Sequence, residues 1–129
     1  MYTSKAIVQN TPFFFQRLND HVQYLRKLQA AVEQEQADFC GSDFRSCKLG
    51  RWLYGTGPEE VQALDPESRA LFDKLFEPHE QFHLAGQRAL EARQAGNMEG
   101  MRQALNEMTR LSTILVDLLI ELDKRCEPL

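Results

Sequence analysis

Apolar side chains recur at steps of three and four residues along three long stretches of this sequence. An α-helix turns once in 3.6 residues, so each stretch predicts a helix with one inward-facing stripe. The stripes are Phe14, Leu18, Leu25, Leu28 and Val32; then Phe72, Leu75, Phe76, Phe82 and Leu90; then Met101, Leu105, Met108, Leu111, Leu115, Leu118, Leu119 and Leu122. No alternating runs bounded by hairpin turns are present, so a sheet is not predicted. The pattern predicts an all-α bundle of roughly antiparallel helices.

Capping residues, prolines and glycines predict where these helices begin and end. Thr11–Pro12 favours the start of a first helix of about seven turns, and Asp65–Pro66 favours the start of the next long helix. Pro78 lies within that second long helix and predicts a bend there. Gly96–Asn97 is typical of its end. The last helix is predicted from about Met98 to Lys124.

A short helix is predicted between the first two long ones, from about Phe44 to Tyr54. Ser42 or Asp43 is its expected capping residue. Its predicted buried face consists of Leu49, Trp52 and Leu53. Gly50, in the middle, costs a helix about 1 kcal/mol against alanine, which suggests a close approach to another backbone. The glycines and proline of residues 55–58 are expected to stop the helix.

All three histidines of the chain fall on inward-facing helical positions. His79 and His83 are four residues apart and project from one helix face, and His21 interrupts the apolar stripe of the first helix. Burying a histidine is costly because its ring nitrogens need partners. Three such positions therefore suggest one partner that the three rings share. Cys47 supplies a fourth candidate ligand. One thiolate and three imidazoles form a tetrahedral set that zinc accepts.

The donor types limit both the metal and its role. A soft thiolate argues against magnesium and calcium, and zinc is the predicted cofactor. Four protein ligands fill the zinc coordination shell, so hydrolytic catalysis is not expected and the site is predicted to be structural or regulatory. Acidification or oxidation of Cys47 to a sulfenic acid should weaken binding. Asp20 and Asp43 are candidate carboxylates for orienting a histidine ring, with solvated acids or helix caps as the alternative for both.

Length and charge restrict the class of protein. The 129 residues suggest a single domain spanning 1–129, in which the weakly patterned residues 1–10 form a loose end or a first helical turn. The net charge is −4 and no basic run is present, so neither nucleic acid nor a membrane surface is an expected partner. No secretory or membrane-spanning segment is recognised, which makes the cytoplasm the expected compartment. Cys40 and Cys126 are expected to be free thiols.

The last predicted helix is apolar over more than one face. Ile114, Val116 and Ile120 widen its stripe. A helix of this kind needs more cover than a surface helix does. Two interpretations follow: a homodimer interface, or a central helix buried within one chain.

The order of these motifs resembles the chemoreceptor zinc-binding (CZB) domain family. The quoted residues are His21 on the first helix, then Asp43-Phe-Arg-Ser-Cys47-Lys-Leu-Gly50-Arg-Trp52-Leu, then Pro78-His79-Glu-Gln-Phe-His83. The resemblance implies that His21, Cys47, His79 and His83 are the zinc ligands. It also implies a four-helix bundle with an additional short helix that carries the cysteine.

Members of that family are commonly homodimers fused to chemoreceptor signalling regions or diguanylate cyclases. There the domain senses zinc, and in some cases an oxidant through the zinc-bound cysteine. These 129 residues contain no such output domain. The sequence therefore favours a stand-alone member that acts on a signalling partner in trans.

Other functions remain open on the residues alone. Glu80 and His83 form one Glu-x-x-His motif, but a di-iron carboxylate site needs two. A hydrolase or transferase that pairs Cys47 with one histidine would leave two inward histidines unexplained. A structural zinc site in a helical protein-interaction adaptor differs from a sensor only in whether metal occupancy changes in the cell.

Overall fold

The computed structural model describes residues 14–34 and 44–126, and within these ranges every regular element is an α-helix. The helices are α1 (Phe14–Gln34), α2 (Lys48–Leu53), α3 (Gly57–Val61), α4 (Pro66–Asp73), α5 (Phe76–Gln94) and α6 (Met98–Arg125). The all-α prediction is confirmed. None of these helices combines the length and the apolar character that a bilayer crossing requires.

Helices α5 and α6 form a hairpin, and α1 and α4 pack against it. Gly96 links them with φ +74°, a left-handed conformation that glycine adopts without a Cβ penalty. The Asn97 side chain then caps α6 by accepting a 3.0 Å hydrogen bond from the backbone N–H of Gly100. The predicted end of one helix and start of the next are therefore both confirmed.

The predicted stripes form one core in which α1 packs across α6 and α5. The fully or nearly fully buried stripe residues are Phe14, Leu28, Val32, Phe72, Leu75, Phe82, Met101, Met108, Leu111, Leu115, Leu119 and Leu122. Gly86 allows α5 to approach α1 closely, since a Cβ there would lie 2.6 Å from Cδ2 of Leu28. The three histidine positions lie on these inward faces, as their spacing predicted.

The short helix α2 is shorter than predicted. Residues 44–46 form turns, and the helix begins only at Lys48, with Cys47 as its N-cap. The predicted buried face of Leu49, Trp52 and Leu53 is confirmed. The close approach at Gly50 is also confirmed, because a Cβ there would lie 1.8 Å from the carbonyl oxygen of Phe44. One further turn, α3, follows with a proline in its first turn and was not predicted.

The second long helix was predicted as one bent element, but it is two helices, α4 and α5. The helical conformation is interrupted at Lys74 and Leu75, which form a turn. Pro78 has no N–H and cannot bond the carbonyl of Lys74, four residues earlier, so the interruption falls one turn before the expected place. Pro78 itself lies in the first turn of α5, where helix N–H groups have no intrahelical partner.

Two of the residues that widen the apolar stripe of α6, Ile114 and Ile120, remain partly uncovered within the described ranges. Ile114 is 37% exposed and Ile120 is 40% exposed. The widened stripe is therefore not fully wrapped by the described helices of one chain. Homodimer formation through this face stays a prediction.

Some predictions fall outside the described residues. They concern the segment 1–10, the helix start at Thr11–Pro12, the free thiol Cys40 and the ring-orienting role of Asp43. The predicted capping of the short helix by Ser42 or Asp43 is wrong, because the helix begins later and Cys47 is its N-cap.

Candidate metal centre

Cys47 is positioned by the start of α2. Its Sγ accepts a hydrogen bond from the backbone N–H of Gly50 at 3.2 Å, which is the capping interaction of this helix. Its carbonyl accepts the first intrahelical bond, from Arg51 N at 2.8 Å. The thiol is therefore held by the short helix itself, and only 9% of the residue is exposed.

His79 and His83 lie one turn apart on the inward face of α5. Their ring centroids are 4.8 Å apart, and the residues are 0% and 7% exposed. Phe82 is fully buried beside them and packs edge-on against the His83 ring. Both imidazoles therefore face the core where α2 lies against the bundle.

The structure brings Cys47, His79 and His83 into one buried group. Sγ of Cys47 lies 3.3 Å from Nε2 of His79, and one ligand atom from each residue lies within 4.8 Å of the others. Tetrahedral zinc with the usual bond lengths separates sulfur from nitrogen by about 3.6 Å and two nitrogens by about 3.3 Å. These separations fit a zinc ion after small side-chain adjustments.

The polar groups of this cluster are not satisfied by protein partners alone. Nδ1 of His79 is buried and has no hydrogen-bond partner among the described residues. This nitrogen is not the one that contacts Cys47 Sγ, so its missing partner is a water or another polar group and not the metal. The donor set itself, one sulfur and two imidazoles in one buried group, favours a zinc site over a hydrogen-bonded core cluster.

His21 contributes no ligand atom to the group of three. Its Nε2 lies 2.9 Å from Oγ of Ser112 on α6, and its ring packs edge-on against Phe82 at a centroid distance of 4.7 Å. The residue is 2% exposed. His21 is therefore buried beside the cluster, and its role as a ligand stays a prediction.

Burial keeps His79 and His21 neutral. Burial first, and then the neighbouring His83 and His21, together lower the pKa of His79 to about 3. Burial and His83 together lower the pKa of His21 to about 4. The three rings are thus close enough to oppose one another's protonation. Neutral imidazole is the form that binds metal.

The Cys47 thiol experiences opposing influences. Burial raises its pKa, whereas the backbone N–H of Gly50 and the Arg51 guanidinium lower it. Burial is the larger effect, so the protein alone favours the neutral thiol. A bound cation would reverse this balance and favour the thiolate.

Two hydroxyl groups next to the histidines were not predicted. Ser112 engages His21, and Tyr24 Oη lies 3.4 Å from Nδ1 of His83. The sequence pattern could have identified Ser112, since it is a serine within the apolar stripe of α6. The sequence indicates Tyr24 less strongly, because only its position one turn after His21 on α1 points to the histidines.

The structure describes only one of the two carboxylates that were predicted to orient a histidine ring. Asp20 is half-buried on α1, and its Oδ1 accepts a 3.0 Å hydrogen bond from Nε2 of Gln16, one turn earlier. This contact supports the alternative of a solvated surface acid. Asp43 lies outside the described residues.

Comparison with known families supports the same region. The model of the family described as the chemoreceptor zinc-binding domain matches residues 21–90, more than half of the chain. The matched stretch begins at His21 and includes Cys47, His79 and His83. Neither the curated proteins nor the solved structures give a match.

Proposed function

The chain belongs to the chemoreceptor zinc-binding domain family, and from this membership we propose that it is a sensory module whose Cys47 ligand responds to the signal. It is a zinc-binding domain of the signal-transduction type. The observation that carries the proposal is the 3.3 Å contact between Cys47 Sγ and His79 Nε2 within a buried group that includes His83.

The proposed ligand set is Cys47, His79, His83 and His21. Hydrogen bonds to the other ring nitrogens support a choice of ligand atoms, because a ligating histidine usually engages its second nitrogen with a polar partner. Ser112 engages Nε2 of His21, which leaves Nδ1 for the metal. Tyr24 Oη lies 3.4 Å from Nδ1 of His83, which favours Nε2 as the ligand atom of this residue.

Zinc, when bound, supplies the charge that keeps Cys47 as a thiolate and joins α2 to the bundle. The chain itself supplies neutral imidazoles and a cysteine fixed at the N-cap of a six-residue helix. Because α2 is so short, a change at Cys47 acts directly on its contact with α5. No catalytic role is proposed, since four protein ligands leave no open coordination position.

Oxidation of Cys47 is the proposed signal-responsive step. With a peroxide, the thiolate sulfur attacks one peroxide oxygen, the O–O bond breaks, and a sulfenic acid and hydroxide form. Sulfur loses two electrons and the peroxide gains them. The sulfenic acid is a poorer ligand than the thiolate, so α2 should loosen from the bundle.

The route of the signal outward is also a proposal. Tyr54 at the end of α2 donates a 2.7 Å hydrogen bond to Glu80, the neighbour of His79. Trp52 of α2 packs edge-on against Phe14 of α1 at 5.8 Å. Movement of α2 would alter both contacts. The chain is proposed to act as a homodimer on a cytoplasmic signalling protein, such as a chemoreceptor or a diguanylate cyclase. The altered contacts of α2 would transmit the signal to that partner.

A structural zinc site in a helical adaptor is the second candidate function. One observation favours it: all three grouped residues are at most 9% exposed, which is typical of closed structural sites. The two functions differ in whether zinc leaves under cellular conditions.

Chelator competition on the full chain tests the proposal. We expect about one zinc per chain after purification without added metal, and release of that zinc when peroxide oxidises Cys47. Cys47→Ala and His21→Ala should each bind zinc more weakly while keeping most of their helix content. Full zinc affinity in Cys47→Ala would remove this residue from the ligand set. Zinc that stays bound after complete oxidation of Cys47 would favour the adaptor.

A further inference from the structure

A pocket opens to solvent at Cys47. It has a volume of about 290 Å³ and lies between α1 and the start of α2. Cys47 and Tyr24 form part of its wall, and the other described residues of the lining are polar or charged. Cys47 is only 9% exposed, and within the described ranges this pocket is where the residue meets solvent.

The charges around this pocket are mainly positive. Lys27 comes from α1, Lys48 and Arg51 come from α2, and among the described residues of the lining Asp20 is the one acidic side chain. All three basic residues are exposed. The chain as a whole has a net charge of −4, so the positive lining is a local departure from the average.

A neighbouring shallow depression continues the same charge. It is lined by Lys48, Arg51 and Asp20 and adds Arg17, whose guanidinium lies 4.9 Å from the Trp52 ring centroid. Clefts lined by one sign of charge concentrate solutes of the opposite sign and raise their rate of arrival. This face of α1 and α2 therefore favours anions.

We propose that this pocket is an entrance that selects small anionic thiol-reactive solutes for Cys47 and disfavours cationic ones. The inference rests on the proposed function, in which Cys47 is the responsive ligand, and it names the class of reactant. Lys27 and Lys48 act on the approaching solute through their charges and take no part in bonding to sulfur.

The expected selectivity follows from Coulomb's law. Two net positive charges about 9 Å from a reacting anion, in water at low ionic strength, raise its local concentration by roughly threefold. They lower that of a matched cation by about the same factor. The ratio of the two reaction rates should therefore be about fivefold to tenfold, and it should fall towards one at high salt.

Two methanethiosulfonate reagents of opposite charge test this directly, one carrying a sulfonate and one a trimethylammonium group. The Cys47 sulfur attacks the sulfenyl sulfur of either reagent, a disulfide forms, and methanesulfinate leaves with the electron pair of the broken S–S bond. Rates are measured by mass on the zinc-loaded full chain with Cys40 and Cys126 replaced by serine. Each rate is divided by that of the same reagent with a small free thiol.

The rate ratio isolates the pocket from the reactivity of the thiol. Both reagents attack the same sulfur, so any change in the nucleophilicity of Cys47 cancels. Lys27→Gln/Lys48→Gln should bring the anion-to-cation ratio close to one. Arg88→Gln/Arg102→Gln is the matched control, because it removes the same charge from exposed positions on the far part of the α5–α6 hairpin. It should leave the ratio unchanged.

Equal rates for the two reagents, or equal loss of selectivity in both double variants, would contradict the proposal that this pocket selects anions for Cys47. Failure of the proposed function gives a different result. If modification of Cys47 releases no zinc, Cys47 is not the responsive ligand, yet the rate ratio still reports whether the pocket selects anions.

Discussion

Gly50→Ala changes one hydrogen to a methyl group at the point where α2 meets the preceding turn. The added Cβ would lie 1.8 Å from the carbonyl oxygen of Phe44 and 2.8 Å from its carbonyl carbon. Both obstacles are backbone atoms, so no side-chain rotation relieves the contact. Either α2 or the turn before it must move by more than about 1 Å to reach an acceptable separation.

The cost combines two opposing effects. Overpacking against fixed atoms costs typically 1–3 kcal/mol, and the better helix propensity of alanine returns about 1 kcal/mol. Because the obstacles are backbone atoms, the upper part of the overpacking range applies, about 2–3 kcal/mol. We therefore expect a net loss of roughly 1–2 kcal/mol in the free energy of unfolding of the zinc-free chain. Cys47 is the N-cap of the same helix, and its Sγ accepts a hydrogen bond from the backbone N–H of Gly50. A displacement of α2 therefore also moves the sulfur. Metal–ligand distances tolerate about 0.2 Å, so zinc affinity should fall at least about tenfold.

Urea unfolding of the zinc-free chain and chelator competition of the zinc-loaded chain measure the two effects separately. Gly86→Ala is the control, because the nearest neighbours of its Cβ would be side-chain atoms that can move, Cδ2 of Leu28 at 2.6 Å and Sδ of Met108 at 3.6 Å. It should keep zinc affinity within about threefold of the wild type. Wild-type stability and zinc affinity in Gly50→Ala would refute the close approach as the reason for this glycine.

Three further predictions concern other parts of the chain. Tyr24→Phe removes the hydroxyl that lies 3.4 Å from His83 Nδ1, and it should weaken zinc binding by about twofold to fivefold in chelator competition; unchanged affinity would remove Tyr24 as an orienting residue. Asp65→Asn should lower the thermal midpoint near pH 6, because hydrogen bonds from Ser68 and Arg125 hold the Asp65 pKa well below its usual range. That stabilisation is present above the usual pKa and is lost as pH falls through the folded-state pKa, so the difference from wild type should shrink between about pH 5 and pH 2; a constant difference would contradict it. Removal of zinc should raise hydrogen exchange in residues 44–57 more than in α6, and a uniform increase along the chain would contradict a local switch.

The long helices could be predicted from sequence because their cores follow the 3.6-residue period. Gly96 and Asn97 were readable as a helix end and a new start, since each performs its usual local role. The histidines were readable for the same reason, because a polar residue in an apolar stripe is a visible exception. The interruption at Lys74 was predicted too late in the sequence, since the hydrogen bond that Pro78 cannot make is the one to a carbonyl four residues earlier.

The centre was less predictable where it depends on contacts between distant segments. Cys47 was expected inside a longer helix but is the N-cap of a shorter one, because the approach of Phe44 to Gly50 stops the helix from extending backwards. The contacts of His21 with Ser112 and of His83 with Tyr24 join residues 91 and 59 positions apart. No local pattern gives such pairings, which is why these partners were missed.

X-ray absorption at the zinc edge of the full, zinc-loaded chain tests the ligand set most directly. One sulfur at about 2.3 Å and three nitrogens at about 2.0–2.1 Å are expected from Cys47, His21, His79 and His83. His21→Ala should remove the outer-ring scattering of one imidazole, with an oxygen ligand in its place, and leave the sulfur contribution unchanged. A shell without sulfur, or a wild-type spectrum in His21→Ala, would contradict the proposed coordination.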